Sequence, residues 1–361
     1  MRYLGTADFQ HESTERLGVL LVNSGTPDSP DTADVRRFLA ALLGDPRVVE
    51  LPRLLWLPVL HGIILRTRPW RSARKYRRIW TEQGSPLLVH TARLRDRLMQ
   101  ELSQRVIAPI VVEVGMLYAR PSVPDALRRL REAGARRLLV VPMFPQYSCA
   151  STAPVIDQVT AELQRWRWVP ELRFINDYHE HPGYIAALAA SIQEHWAQRG
   201  RTEHLLMSFH GIPEKYFRQG DPYFCKCQKT ARLLAEELNL PDGAWSVSFQ
   251  SRYGPGQWLK PYTDVVLEGM PARGLRSVSV ICPGFSADCL ETLEEIAIEN
   301  RERFLGAGGT RFEYIPALNA REDHAVMLAD LIAQHLQGWA AVPVSWLSQS
   351  AVPSDPSSPP A

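Results

Sequence analysis

Two sets of short, continuously apolar runs, each breaking into a loop of small and polar residues, constrain this chain more than any other feature. The first set is LGVLLVNSG (17–25), VVEVGMLYA (111–119) and RLLVVPMFPQYS (137–148). The second is HLLMSFHG (204–211), WSVSFQSR (245–252) and SVSVICPGF (277–285). Such runs read as strands buried on both faces, as the strands of parallel sheets are. Segments with helical spacing lie between them: TARLRDRLMQELSQ, VPDALRRLREAG (closed by Gly134), KTARLLAEELN and TDVVLEGMPARG. Strands alternating with helices build βαβ units. Two sets predict an α/β protein of two similar lobes with a cleft between them.

The length of 361 residues is ample for two such lobes. A formal net charge of +2 argues against nucleic acid, which calls for a concentrated basic surplus. The longest apolar stretch, LLWLPVLHGIIL, has twelve residues and is interrupted by Pro58 and His61, too short and broken to span a bilayer. The start, MRYLGTADFQHESTERLG, has no apolar core behind a basic end, so no signal peptide is expected. Five cysteines over this length do not form a secreted disulfide framework, and a reducing cytoplasm is the expected home. The GxGxxG, GxxxxGK[ST] and GxSxG patterns are all absent, which leaves a nucleotide cradle and a hydrolase elbow without support.

Strands of an open α/β sheet deliver chemistry at their carboxyl ends. HLLMSFHGIP ends in His210 before Gly211 and Pro213, and an imidazole there suits a metal ligand, a proton acceptor or a satisfied strand residue. PGFSADCLETLEEIAIE carries Asp288, Glu291, Glu295 and Glu299 at offsets of three, four and four, one face of a helix, with Glu294 off that stripe. The stripe fits a solvated acidic face or a route for a cation, and Asp288 also fits a cap at the helix start. Residues 54–78 stand apart: the twelve apolar residues run into RTRPWRSARKYRR, seven of whose thirteen residues are Arg or Lys. That pattern fits a solvated helix face, or a lip suited to a greasy anionic ligand or a membrane surface. Cys225 and Cys227 are one residue apart with no second pair, which is not the spacing of a structural zinc site. An iron–sulfur cluster needs four suitably placed thiolates, and Cys149, Cys225, Cys227, Cys282 and Cys289 match no such motif.

Seven blocks in order, LLVNSGTP, KYRRIWTEQGSPL, GMLYARP, VVPMFPQYSCAST, SFHGIPEKYFRQGDPY, SFQSRYGPGQWLKPYT and PGFSADCLETLEEI, make the chain resemble the ferrochelatases from about residue 17 to 337. The resemblance implies two Rossmann-like lobes, each a four-stranded parallel sheet flanked by helices. The expected division is a loose arm over 1–16, lobes over 17–170 and 171–318, a helix over 319–340 packing back on the first lobe, and a disordered Pro/Ser-rich tail over 341–361. It implies insertion of ferrous iron into protoporphyrin IX to form protohaem, in the manner of Gram-negative relatives. Coproporphyrin III, another tetrapyrrole or metal, and a non-enzymatic tetrapyrrole or metal carrier are the alternatives. It maps the metal-site His onto His210, the essential Glu onto Glu291, and the acidic path onto Asp288 and Glu295. Porphyrin contacts map onto Ser24, Arg66, Tyr76, Ser85, Tyr118, Trp258 and Phe285. Some relatives have a His where this chain has Cys289 and an Arg where it has Leu117. Cys149 matches a cluster ligand of some relatives, but the C-terminal tail has no cysteine to complete that cluster. Iron is therefore expected as substrate with no tightly bound cofactor, in a monomer or dimer with possible peripheral membrane contact.

Overall fold

The computed structural model describes residues 3–6, 9–254 and 256–340. The tail over 341–361, and parts of the arm, lie outside these residues. The first lobe runs β1 (Arg16–Asn23), α1 (Thr32–Gly44), α2 (Arg53–Val59), a π-turn (Leu60–Ile64), α3 (Leu65–Ile79), α4 (Pro86–Arg105), β2 (Ile110–Met116), α5 (Val123–Glu132), β3 (Ala135–Pro142), α6 (Thr152–Leu163) and β4 (Glu171–Phe174). The second runs α7 (Pro182–Arg199), β5 (His204–His210), α8 (Glu214–Arg218), α9 (Tyr223–Glu237), β6 (Trp245–Gln250), α10 (Thr263–Gly269), β7 (Ser277–Ile281), a π-helix (Glu291–Asn300), α11 (Arg301–Gly306) and β8 (Arg311–Ile315). Helix α12 (Glu322–His335) closes the described chain.

The two sheets are four-stranded, with orders β2-β1-β3-β4 and β6-β5-β7-β8. Every named strand pair is parallel. The alternating strands and helices of the sequence thus fold as two copies of one topology. In each copy the order reverses between the first and third strands, β1/β3 and β5/β7. Ligands of open α/β sheets sit outside the carboxyl ends of the strands at such a reversal. The loops after β1, β3, β5 and β7 therefore set the floor of any shared site.

Strands β4 and β8 carry no continuous apolar run; they are edge strands of four and five residues with mostly half-buried side chains. Leu138, Leu139 and Val140 of β3 pair with Leu172, Arg173 and Phe174, so the first sheet continues past residue 170. Part of the arm is also held: Leu4 N donates to Arg165 O at 2.7 Å and Arg167 N to Leu4 O at 2.8 Å. A backbone pair of this kind ties the chain whatever the polarity of its side chains.

One buried cluster runs through both lobes, joining Leu94 and Leu98 of α4, Leu188 and Ile192 of α7, Phe209 of β5, and Leu328 and Ile332 of α12. Helix α12 packs on α4 and α7. Asp330 on α12 accepts from Arg105 Nε at 2.9 Å, and Arg137 Nη1 donates to Trp339 O at 2.9 Å. The last helix thus ties the two lobes into one body. No helix among the described residues is long and apolar enough to cross a membrane.

Candidate active site

A cleft of about 660 Å³ lies between the lobes at the carboxyl ends of β1, β3, β5 and β7. The loop after β1 enters its wall first. Ser24 N donates to Asn23 Oδ1 at 2.8 Å, and Thr26 Oγ1 donates to Ser85 Oγ at 2.7 Å, just ahead of α4. Gly25, at φ +102°, leaves no space for a side chain: a Cβ would stand 2.8 Å from that of Ala119. Tyr118, in the loop after β2, donates to Asp45 Oδ2 at 2.9 Å, and burial raises its phenol above the ordinary value. Tyr76 of α3 is buried too, and burial followed by the charge of Glu291 raises it well above the ordinary value. Both phenols stay neutral at physiological pH.

His210 is the last residue of β5. Its Nδ1 lies 2.6 Å from Gly211 O, and a carbonyl can only accept. In the neutral ring the proton therefore sits on Nδ1, and the lone pair lies on Nε2. The loop that orients the ring is tight: Gly211 N donates to Gln250 O at 2.7 Å, and a Cβ on Gly211 would stand 2.8 Å from that same oxygen. Gln250 then reaches the other lining segment, because its Nε2 donates to the backbone oxygen of Glu291 at 2.8 Å. Ser208 Oγ fixes the amide by donating to its Oε1 at 2.7 Å. One glutamine thus links the His210 loop to the start of the π-helix.

The acidic segment differs from the expected stripe. Residues 291–300 form a π-helix, whose i→i+5 bonding widens each turn. Glu291, Glu295 and Glu299 line the cleft, and Glu294 lines it with them. Asp288 does not. It precedes the π-helix and is buried away from the cleft, where it accepts from Asn319 Nδ2 at 2.7 Å, Thr292 Oγ1 at 2.9 Å and the Tyr314 hydroxyl. The Ala317 amide also donates to Asp288 Oδ1, at 3.4 Å, so these contacts tie the carboxylate to Thr292, to β8 and to the segment after it, and not to an amide at the helix start.

Burial, helped by Glu291 and Glu299 and opposed by hydrogen bonds from Ser251, pushes Glu295 up to about 7. Ser251 supplies its amide at 2.8 Å and its hydroxyl, from a left-handed φ of +65°. Such a backbone conformation is costly for a residue with a Cβ. Burial also acts to raise Glu299, but Lys75 and Arg303 outweigh it and hold the carboxylate below its ordinary value. Cys289 lines the cleft, and burial followed by Glu291 raises its thiol well above the ordinary value. A protonated thiol is a poor metal ligand. Among the described residues no three His, Cys, Asp or Glu side chains converge as a metal cage.

The cationic wall comes from α3. Arg68, Arg71 and Lys75 line the cleft, at the three- and four-residue spacing of one helix face. Arg66 does not line it and is exposed. Tyr76 sets the phase: Ser72 and Arg68 lie four and eight residues before it, on the same face, and this would have identified Arg68. The remaining wall is apolar or aromatic, with Leu117, Phe144, Ile212, Trp258 and Phe285. The Phe285 ring lies 6.3 Å from that of His210, and the Tyr253 ring 4.7 Å from that of Trp258. Of the residues mapped from the resemblance, Ser24, Tyr76, Ser85, Tyr118, Trp258, Phe285, His210, Glu291 and Glu295 share this one cleft, whereas Arg66 and Asp288 lie outside it. Reading the sequence missed Gln250, Ser251, Glu294, Arg71 and Lys75.

The ferrochelatase family model matches residues 16–336. The ferrochelatase of Thioalkalivibrio sulfidiphilus is 54% identical, over 94% of this chain and 92% of that protein. That of Nitrosococcus oceani is 53% identical over the same shares. Among solved structures, SirB from Bacillus subtilis with Fe3+ aligns with a TM-score of 0.52 at 10% identity, covering 90% of this chain and 98% of that one, a likeness of fold. With a family match over nearly all of the described chain and relatives above half identity, the chain belongs to the ferrochelatase family.

Proposed function

We propose that this protein inserts ferrous iron into protoporphyrin IX, with His210 and Glu291 at the reacting face of the ring. The observation that carries the reading is the composition of one cleft: an imidazole with a free Nε2, a line of carboxylates, aromatic walls and a row of cations. Family membership supports iron insertion into a porphyrin. In that reaction Fe2+ enters, two pyrrole protons leave, and no electron moves.

A porphyrin is a flat apolar disc with carboxylates on its rim. Trp258, Phe285, Leu117 and Ile212 offer it surface, and Arg68 and Arg71 offer its rim charge. Arg68 lies over the Tyr253 ring at 5.9 Å and Arg71 over the Trp70 ring at 5.2 Å, contacts that leave their charge available to an anion. Arg68 and Arg71, on one face of α3, suit the two propionates of protoporphyrin. A ring held bent by these walls would expose its nitrogens on one face, so that binding energy is spent on distortion. His210 Nε2 accepts a pyrrole proton, and Glu291 meets the incoming iron. Glu295, near neutrality in its titration, passes protons outward. A few carboxylate and imidazole donors hold Fe2+ weakly, which suits a metal that is delivered and not kept.

The α2 surface supports a second element of the reading, peripheral contact with an anionic membrane that supplies the poorly soluble ring. Leu54 and Leu55 are 90% and 70% exposed, Ile63 is 60% exposed, and Arg53, Arg66 and Arg74 stand near them in sequence. Anaerobic absorbance of protein, Fe2+ and porphyrin tests the reaction. His210→Ala and Glu291→Gln that insert iron at the full rate would refute the residue roles.

A further inference from the structure

Lys75 lines the cleft, yet it faces away from the role that its neighbours Arg68 and Arg71 suggest. Its ammonium lies 2.9 Å from Glu294 Oε2 and 2.6 Å from Glu299 Oε2. It therefore occupies the place of a cation at the outer end of the carboxylate line. The two carboxylates are held unequally. Glu294 is 2% exposed and also takes Arg78 at 3.1 Å, so it stays neutralised if Lys75 leaves. Glu299 has Arg303 on Oε1 at 3.2 Å, so departure of Lys75 opens its Oε2, on the more exposed of the two carboxylates that the ammonium covers. Lys75 is itself 43% exposed on a flexible stem. It sits four residues, about 6 Å, from Arg71 along α3.

We propose that Lys75 couples porphyrin binding to admission of the metal: its ammonium rests on Glu294 and Glu299 in the porphyrin-free protein, and moves to a rim carboxylate when the ring arrives, exposing Glu299 Oε2 to Fe2+. This rests on the reading of the cleft as a porphyrin site. A carboxylate seated at Arg71 gives the ammonium an alternative anion within reach of its stem. The exchange leaves Glu294 with Arg78 and Glu299 with Arg303, and the Lys75–Glu299 pair, 43% and 35% exposed, is of the weak, solvated kind. The device would keep the carboxylate line closed to divalent cations until a ring is present to receive one. Lys75 here is a positioning residue: it acts through Glu299.

The test measures affinity for Mn2+ by electron paramagnetic resonance, with and without an N-methylated protoporphyrin that resists metallation. In the wild-type protein the porphyrin should tighten Mn2+ on the order of fivefold or more, a typical coupling between two sites. Lys75→Met should bind Mn2+ tightly without porphyrin and gain nothing from it. Lys75→Arg, which restores a cation, should recover the coupling, and Glu299→Gln should lose it. Unchanged thermal midpoints guard against a folding defect. Bound porphyrin with no effect on Mn2+ in the wild type, or coupling that survives in Lys75→Met, would overturn the proposal. Failure of the N-methylated porphyrin to bind at all would instead refute the porphyrin reading on which it rests, and the proposal with it.

Discussion

His210 meets the cleft with one ring nitrogen committed to Gly211 and the other free. Loss of that lone pair in His210→Ala should lower the rate of iron insertion by roughly 10²–10⁴-fold, the usual worth of a positioned acid or base. Porphyrin binding, followed by the shift of its absorbance, should change little, because the walls that hold the ring remain. Glu295 gives a prediction about stability in the metal-free protein. Its folded carboxyl keeps a proton up to about 7, against an ordinary value of 4.5. Between those two values the folded state binds more protons than the unfolded state, so rising pH costs stability. Glu295→Gln removes that cost. It should stabilise the protein above pH 7 by on the order of 1–3 kcal/mol, and bring little gain below pH 4.5, as read from melting curves across pH. At this scale the sequence disclosed which residue types meet, through the strand end at His210 and the block around Glu291. It did not disclose that Arg68, and not Arg66, lines the cleft, because a helical phase is needed to choose between arginines two apart. Nor did it disclose that Asp288 turns into a network with Asn319 and Tyr314, because those partners lie about thirty residues away.

The β5 loop and the π-helix are the two elements that place this chemistry. Gly211→Ala would push a Cβ into Gln250 O, a backbone atom that cannot swing aside. The His210 loop must then shift, and a displacement near 1 Å can cost about 10²-fold in rate. The predicted signature is a fall in kcat with porphyrin affinity kept within a few fold. The π-helix changes which carboxylates face inward. Periodicity of 3.6 set Glu294 off the stripe, whereas the wider turn brings it to the cleft wall between Glu291 and Glu299. Six strands were legible because most of their residues are buried and each carries a core of apolar residues. Strands β4 (ELRF) and β8 (RFEYI) were not, because each is only four or five residues long, mostly half-buried, and interrupted by charged side chains.

The whole molecule depends on a helix that belongs to neither sheet. Leu328 and Ile332 of α12 are fully buried, each contributing about 1.5–3 kcal/mol through burial. Ending the chain before Glu322 removes this helix from between α4 and α7, a loss comparable with the total stability of a domain. Such a chain should show no cooperative thermal transition. On the outer surface, Leu54→Glu with Leu55→Glu should abolish flotation with anionic vesicles while leaving iron insertion into detergent-dispersed porphyrin unchanged, since neither side chain lines the cleft. Two lobes around a cleft could be read from the alternation of strands and helices; the return of the last helix to the first lobe was implied only by the family resemblance, because α12 reaches back over two hundred residues to α4 and no local pattern records that contact. The most direct measurement is anaerobic mixing of the purified protein with Fe2+ and either protoporphyrin IX or coproporphyrin III, with haem formation followed by absorbance. The account predicts rapid metallation of protoporphyrin, slower metallation of coproporphyrin, and loss of both in His210→Ala. Tight porphyrin binding without metallation, or full turnover in His210→Ala, would contradict it.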